Sequence, residues 1–270
     1  MDSRPLRIVS ATAIAYIAAF IGFRHSHILY DRTAALKAIS SFHSTLTAIF
    51  GIIALSQPWP IRMRDVKQHV KPGQLNDSRN PIIFGQSAFG NAVTAIETGF
   101  LLYDTIATLI IHYEEYCTKK QLSWIDATKL LFRKEPVTLW HHLSILTALG
   151  YFQIYCLKGQ ERGVWIIVAF ILMNASTPIM QLRWWRRKST GQSSLTLDIL
   201  FCIVFGICRL GTVFYVFRVY GQYHGIGTLQ AFTRQKWICQ VSTGALFALN
   251  AVWWATLARN TGRKIAKACS

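Results

Sequence analysis

Residues 195–217 read LTLDILFCIVFGICRLGTVFYVF, and this stretch decides the fold. Only Asp198 and Arg209 carry charge in it. It is long enough to cross a hydrocarbon core, which takes about 20 helical residues. Inside lipid no water is present to satisfy the backbone, so such a segment must bond internally as a helix. Outward from it the pattern repeats in Leu6–Phe23, Ala38–Leu55, Gly90–His112, Val137–Leu157, Val164–Leu182 and Ile238–Leu257. Each is near spanning length, the second being among the shortest. The expectation is an all-α integral membrane bundle of about seven transmembrane helices.

Composition agrees. Hydrophobic residues make up 52% of the 270, charged residues only 15%, and mean hydropathy is +0.29. Soluble domains carry nearer a quarter charged residues, roughly 25%. The net charge of +17 invites a nucleic-acid reading, but the basic residues sit at the ends of apolar segments. Arg183, Arg186, Arg187 and Lys188 form one such run; Arg259, Arg263, Lys264 and Lys267 form another. That placement suits anchors facing anionic headgroups, so the expected partner is a bilayer and not nucleic acid. The loops after the first, third and fifth spans, with the C-terminus, carry more Lys and Arg than the rest. This bias puts the C-terminus in the cytosol. The six cysteines show no CxxC or other metal spacing, so neither a disulfide framework nor zinc is expected. The first apolar run lacks a clear small-residue cleavage site and reads as a retained span.

Between spans, Ser56–Phe89 is a long polar loop with the turn formers Pro58, Pro60, Pro72, Gly73 and Pro81. His112–Glu135 mixes acids and bases and contains a candidate amphipathic surface helix around Trp124–Phe132. Residues 1–37 form an N-terminal span and loop, 38–257 one transmembrane domain and 258–270 a basic tail.

Charged groups at bilayer depth cost roughly 2.5–3.5 kcal/mol each on insertion scales, so they face the bundle interior and usually have a task. Here they and their polar neighbours are His43, Glu97, Asp104, His141, His142, Asp198, Arg209 and Asn250. Glu97 and Asp104 are seven apart, close to two helical turns, so both carboxylates share one face with Phe100, roughly 10 Å apart along the axis. They read either as proton donors or as structural partners of Arg209 and His142. His141 and His142 point about 100° apart, so at most one aims at a central cavity. Arg209 needs a partner from another helix, and Asp104 is the natural candidate. Asp198 lies near a helix start, where it faces water or favours the helix N-terminus. Trp140, Trp165 and Trp253 lie within spans and either line a cavity or pack; Trp59, Trp184, Trp185 and Trp237 flank spans.

Several of these pieces, in order and spacing, resemble the TLC domain. They are Ser41-Phe42-His43-Ser44, Glu97-Thr98-Gly99-Phe100 running to Asp104, Trp140-His141-His142, Ser176-Thr177-Pro178 with Arg183-Trp184, Arg209, and Asn250 to Trp253. The resemblance covers roughly Ala38 to Leu257. That family includes ceramide synthases, translocation-associated membrane proteins and small multipass proteins, and the chain looks most like the last. Ceramide synthases carry a His-Asp pair and further acids after the paired His; here an apolar span follows directly. Small members usually have Glu where this chain has Asn174, and often a small residue where it has Glu97.

The resemblance implies an endoplasmic reticulum membrane and, with the buried acids, three functions. The first is an intramembrane acid/base enzyme acting on a long apolar lipid or isoprenoid. Its leading reaction is proton-initiated cyclisation of a prenyl or epoxy-prenyl chain, as in fungal membrane-bound terpene cyclases of meroterpenoid pathways. Glu97, Asp104, His141 and His142 would be catalytic. His43, Phe100, Trp140, Asn174, Arg209, Asn250 and Trp253 would bind substrate. No metal or other cofactor is called for, and the sequence shows no Asp-rich prenyl-diphosphate motif. The second is acyl transfer from acyl-CoA with the paired His as base. The third is a non-catalytic protein controlling membrane lipid composition.

Overall fold

The computed structural model describes residues 3–25, 31–61, 75–77, 79–134 and 136–269. Pro72, Gly73 and Glu135 lie outside the described residues. Each of the seven expected spans coincides with a helix or a helical pair, and there is no strand among the described residues. By length and composition six of the helical stretches can cross a membrane: 4–23, 32–56, 88–119, 164–190, 195–223 and 237–269. The seventh helix, Pro136–Leu157, has 22 residues but is diluted by His141, His142 and Gln153.

By their contacts the described residues form two compact units. The first comprises residues 1–43 and 91–160. It contains α1 (Arg4–His25), the start of α2 (Arg32–Ser56) and most of α4 (Ala88–Tyr113), which continues as a π-helical turn over Glu114–Lys119. It also holds α5 (Trp124–Lys134) and α6 (Pro136–Leu157). Phe20, Ala35, Ile39, Phe100, Tyr103 and Ala107 form its core. Gly99 allows α1 and α4 to approach closely, since a Cβ there would fall 2.5 Å from the Val9 carbonyl oxygen. Helix α5 starts on a reciprocal cap, with the Asp126 amide donating to Ser123 Oγ and the Ser123 hydroxyl to Asp126 Oδ2. It buries Ala127 and Leu131 and exposes Trp124, Ile125 and Phe132, an amphipathic pattern.

The second unit comprises residues 44–90 and 161–270. It contains the rest of α2 and the short α3 (Pro81–Phe84), whose amide at Ile82 donates to the Asn80 side chain. There follow α7 (Val164–Ile171), α8 (Thr177–Thr190), α9 (Leu195–Phe205), α10 (Thr212–Tyr223), α11 (Thr228–Thr233) and α12 (Trp237–Cys269). Ile82, Trp165, Ala169, Met173, Val216 and Phe217 lie in its core. Two of its spans are not regular. Between α7 and α8 the helix tightens to a 3₁₀ turn over Leu172–Ser176, and Pro178 is the reason. It has no N–H for the Asn174 carbonyl, which accepts instead from Thr177, three residues on. Between α9 and α10 the helix widens to a π turn over Gly206–Gly211. There the Trp254 indole N–H donates to the Cys202 carbonyl at 3.0 Å, and Gly206 leaves room for that ring.

Candidate functional site

In the first unit α4 presents its two carboxylates to two imidazoles. Glu97 Oε2 lies 3.0 Å from His43 Nε2, and Tyr16 Oη lies 3.0 Å from His43 Nδ1. His43 has no exposed surface. The chain is donor-consistent in both directions. Either Tyr16 O–H donates to Nδ1 while Nε2–H donates to the carboxylate, or a protonated Glu97 donates to Nε2 while Nδ1–H donates to the phenol oxygen. Passing from the first arrangement to the second with the phenol intact requires one added proton, so the two differ by a protonation and not by a shift along the chain alone. Aromatic rings hold the imidazole in place: Phe100 stacks on it with centroids 3.6 Å apart and planes 9° apart, and Tyr16 meets it edge-on at 5.4 Å. Tyr103 and Phe20 continue this cluster. The Tyr103 hydroxyl is buried and has no hydrogen-bond partner among the described residues, an unusual condition for a native polar group.

Two turns along α4, Asp104 Oδ2 lies 3.5 Å from His142 Nε2. The other ring nitrogen, Nδ1, lies 3.2 Å from Thr105 Oγ1, whose own proton is committed to the Leu101 carbonyl at 2.7 Å. Thr105 therefore accepts, and His142 Nδ1 carries hydrogen. Nε2 faces Asp104 at ion-pair distance, a pair that is charged only when the imidazole is protonated. His141 lies beside it, ring centroids 6.0 Å apart and planes at 65°, on a different azimuth of α6. The 100° offset allows only one of the two to face a given point, and it is His142 that lies against Asp104.

Glu97, Asp104, His43, His142 and Phe100 thus gather in the first unit, with His141 adjacent. Trp140, on α6 beside His141, is 59% exposed. Asn174, Arg209, Asn250 and Trp253 belong to the second unit. The expected pairing of Arg209 with Asp104 is replaced. Within the second unit Arg209 Nε donates to Ser176 Oγ at 3.3 Å and Nη1 to Asn250 Oδ1 at 3.4 Å, while the guanidinium lies over the Phe205 ring at 5.1 Å. Asn250 is 1% exposed and donates to the Leu246 carbonyl at 2.8 Å. Asn174 sits in the 3₁₀ turn, and Trp253 is half-buried on α12.

Three polar features escape the sequence reading. Tyr16 is a single phenol in an otherwise apolar span, with nothing to distinguish it from a membrane-facing tyrosine. Asp198 does not face water. It is 3% exposed and clamped by Arg183, whose Nη2 lies 2.5 Å from Oδ1, and by Lys264 on Oδ2. Asp77 accepts from Tyr220 Oη at 2.8 Å, from Asn80 Nδ2 at 2.8 Å and pairs with His224 Nε2 at 2.8 Å, tying the loop before α3 to the end of α10. No group of three or more potential metal ligands occurs among the described residues.

A chain with this helical membrane architecture, its α4 carboxylates facing imidazoles from α2 and α6, matches the family model of the TLC domain over residues 34–259. The chain belongs to the TLC-domain family. Neither a curated protein nor a solved structure matches it.

Proposed function

We propose that this TLC-domain chain is an intramembrane acid/base enzyme acting on a long apolar isoprenoid or lipid, with isoprenoid cyclisation as its reaction. The observation that supports this reading is the Tyr16–His43–Glu97 chain, whose imidazole is fully buried and whose carboxyl end could hold a proton. Removing charged and titratable groups from water is costly, and such sets are usually kept for use. In the proposed reaction the Glu97 O–H bond breaks as its proton passes to a terminal epoxide oxygen or alkene carbon. The epoxide C–O bond opens while ring C–C bonds form. The final carbocation loses a C–H proton to a base, a role this reading gives to the Asp104–His142 pair. Substrate and product are isomers, so the balance requires no metal, nucleotide or oxidant. Phe100, Tyr16 and Tyr103 supply ring faces whose quadrupoles favour a passing cation.

The compartment belonging to this reading is the endoplasmic reticulum, with the basic C-terminal end of α12 in the cytosol; the excess of Lys and Arg at that end supports it. The test is turnover in microsomes containing the full chain. They are offered epoxy-prenyl and prenyl substrates on one side of the panel and acyl-CoA with long-chain amines on the other. Cyclised isomer is expected from wild type, and Glu97→Gln should reduce it by about 10²–10⁴-fold at equal protein level. Amide product would move the assignment to acyl transfer with His142 as base. Wild-type lipid profiles from Glu97→Gln, Asp104→Asn and His142→Ala alike would leave only a non-catalytic role.

A further inference from the structure

The second unit holds a cation, Arg209, whose acceptors among the described residues are neutral. Arg209 stands at mid-length of the α9–α10 span, in its π turn, where a charge is expensive. Among the described residues no carboxylate pairs with it. Its two acceptors, Ser176 Oγ and Asn250 Oδ1, are neutral and lie at the long end of hydrogen-bond distance. The guanidinium has five N–H donors in a planar fork suited to carboxylate or phosphate. Two are engaged here, and the Nη2 edge has no partner among the described residues. The same chain neutralises cations elsewhere: Arg183 and Lys264 converge on Asp198. π turns, moreover, recur at functional positions, because the inserted residue turns a side chain out of the regular helical register.

The surroundings say what kind of anion would fit. The elements that hold Arg209 also line an apolar cleft of about 230 Å³, with Ile166, Phe170, Val216, Phe217, Ile238 and Thr243 on its walls. From Phe170 to Ser176, from Phe217 to Arg209 and from Thr243 to Asn250 the displacement is six to eight residues, always toward the same end. At 1.5 Å per residue the cleft and the guanidinium are roughly 10 Å apart along one seam between α7, α10 and α12. We propose that Arg209 anchors the anionic group of an amphiphile, a carboxylate or a phosphate, whose apolar body occupies this seam. The ligand completes the charge balance that Ser176 and Asn250 leave open. The assignment concerns the second unit alone, and its failure would leave the acid/base reading of the first unit intact.

The test is competition binding to the purified full chain in phosphatidylcholine nanodiscs, with radiolabelled hexadecanoate as probe. Hexadecanoate and hexadecyl phosphate should displace the label at concentrations at least about tenfold below hexadecanol, a margin equal to one charge-assisted contact. Arg209→Gln should lose that margin and Arg209→Lys should keep part of it. Asn250→Asp is the sharper variant. It places a carboxylate on the guanidinium within the same shape, so it should abolish preference for the anion while the protein stays folded. Displacement by hexadecanol as good as by hexadecanoate, an unchanged margin in Arg209→Gln or Asn250→Asp, or no binding at all would each overturn the proposal. Inorganic phosphate competing as well as hexadecyl phosphate would make the site one for a free anion, and the amphiphile would be wrong. Should Arg209→Gln fail to fold, the wild-type comparison and Asn250→Asp decide.

Discussion

The two units handle buried polarity in opposite ways. In the first, Tyr16, His43, Glu97, Asp104 and His142 can all gain or lose a proton, and they meet in two acid–imidazole pairs. In the second, the central group is a guanidinium that cannot be deprotonated in a protein, and the best-formed pair joins Asp198 to Arg183 and Lys264. A network of titratable groups can stay net neutral inside lipid by sharing protons. A permanent cation cannot; it needs a counter-ion or a row of dipoles. The difference is one of chemistry: the first unit gathers groups that can exchange protons, the second fixed charges held by ion pairs and dipoles.

Substitutions sharpen or break this contrast, and Glu97→Gln is the largest expected effect. It keeps shape and a hydrogen bond to His43 but removes the exchangeable proton, so turnover should fall by about 10²–10⁴-fold while yield is unchanged. Loss of folded protein instead would make Glu97 structural. Next is Asp198→Asn. Breaking a buried ion pair costs roughly 3–5 kcal/mol. Here Lys264 is 37% exposed and Arg183 20%, so about 2 kcal/mol is expected. It should appear as a lower midpoint of thermal unfolding in detergent, with turnover per folded molecule preserved. An unchanged midpoint would remove the charge-holding role from the second unit.

Gly99→Val asks whether the proton chain depends on helix approach. Its Cβ would press against Val9 O and against Thr12 Cβ, 2.8 Å away, at a cost of about 1–3 kcal/mol for overpacking. The α1 helix should shift and carry Tyr16 off His43, lowering both stability and turnover. Stability lost with turnover kept would show that Tyr16 is dispensable. The smallest effect is expected for Tyr220→Phe, which removes one hydrogen bond to Asp77 while His224 and Asn80 keep theirs. About 1 kcal/mol is expected, read as faster proteolysis in the loop before α3 and no change in turnover.

Much of this was legible before the structure. The spans follow from apolar run length, and Glu97 and Asp104 share a face because seven residues make nearly two turns. The adjacent imidazoles diverge for the same geometric reason, and it is His142 that lies against Asp104. What misled was local context. Asp198 sits in the first turn of α9, a position that favours an acid by the helix dipole alone, yet Lys264 reaches it from 66 residues further along the chain. Asp77 finds Tyr220 and His224 across 143 and 147 residues, and no periodicity encodes such a meeting.

The chain by itself determined that it crosses a membrane as helices, because lipid leaves an apolar segment no other way to bond its backbone. It also determined which faces of those helices carry acids, since that depends only on spacing along one rod. Partners were settled only by tertiary structure: Tyr16 for His43, Ser176 and Asn250 for Arg209, and two cations for Asp198. A partner from another helix depends on axial shift and rotation between rods, and these arise from the packing of many small contacts that no single segment contains.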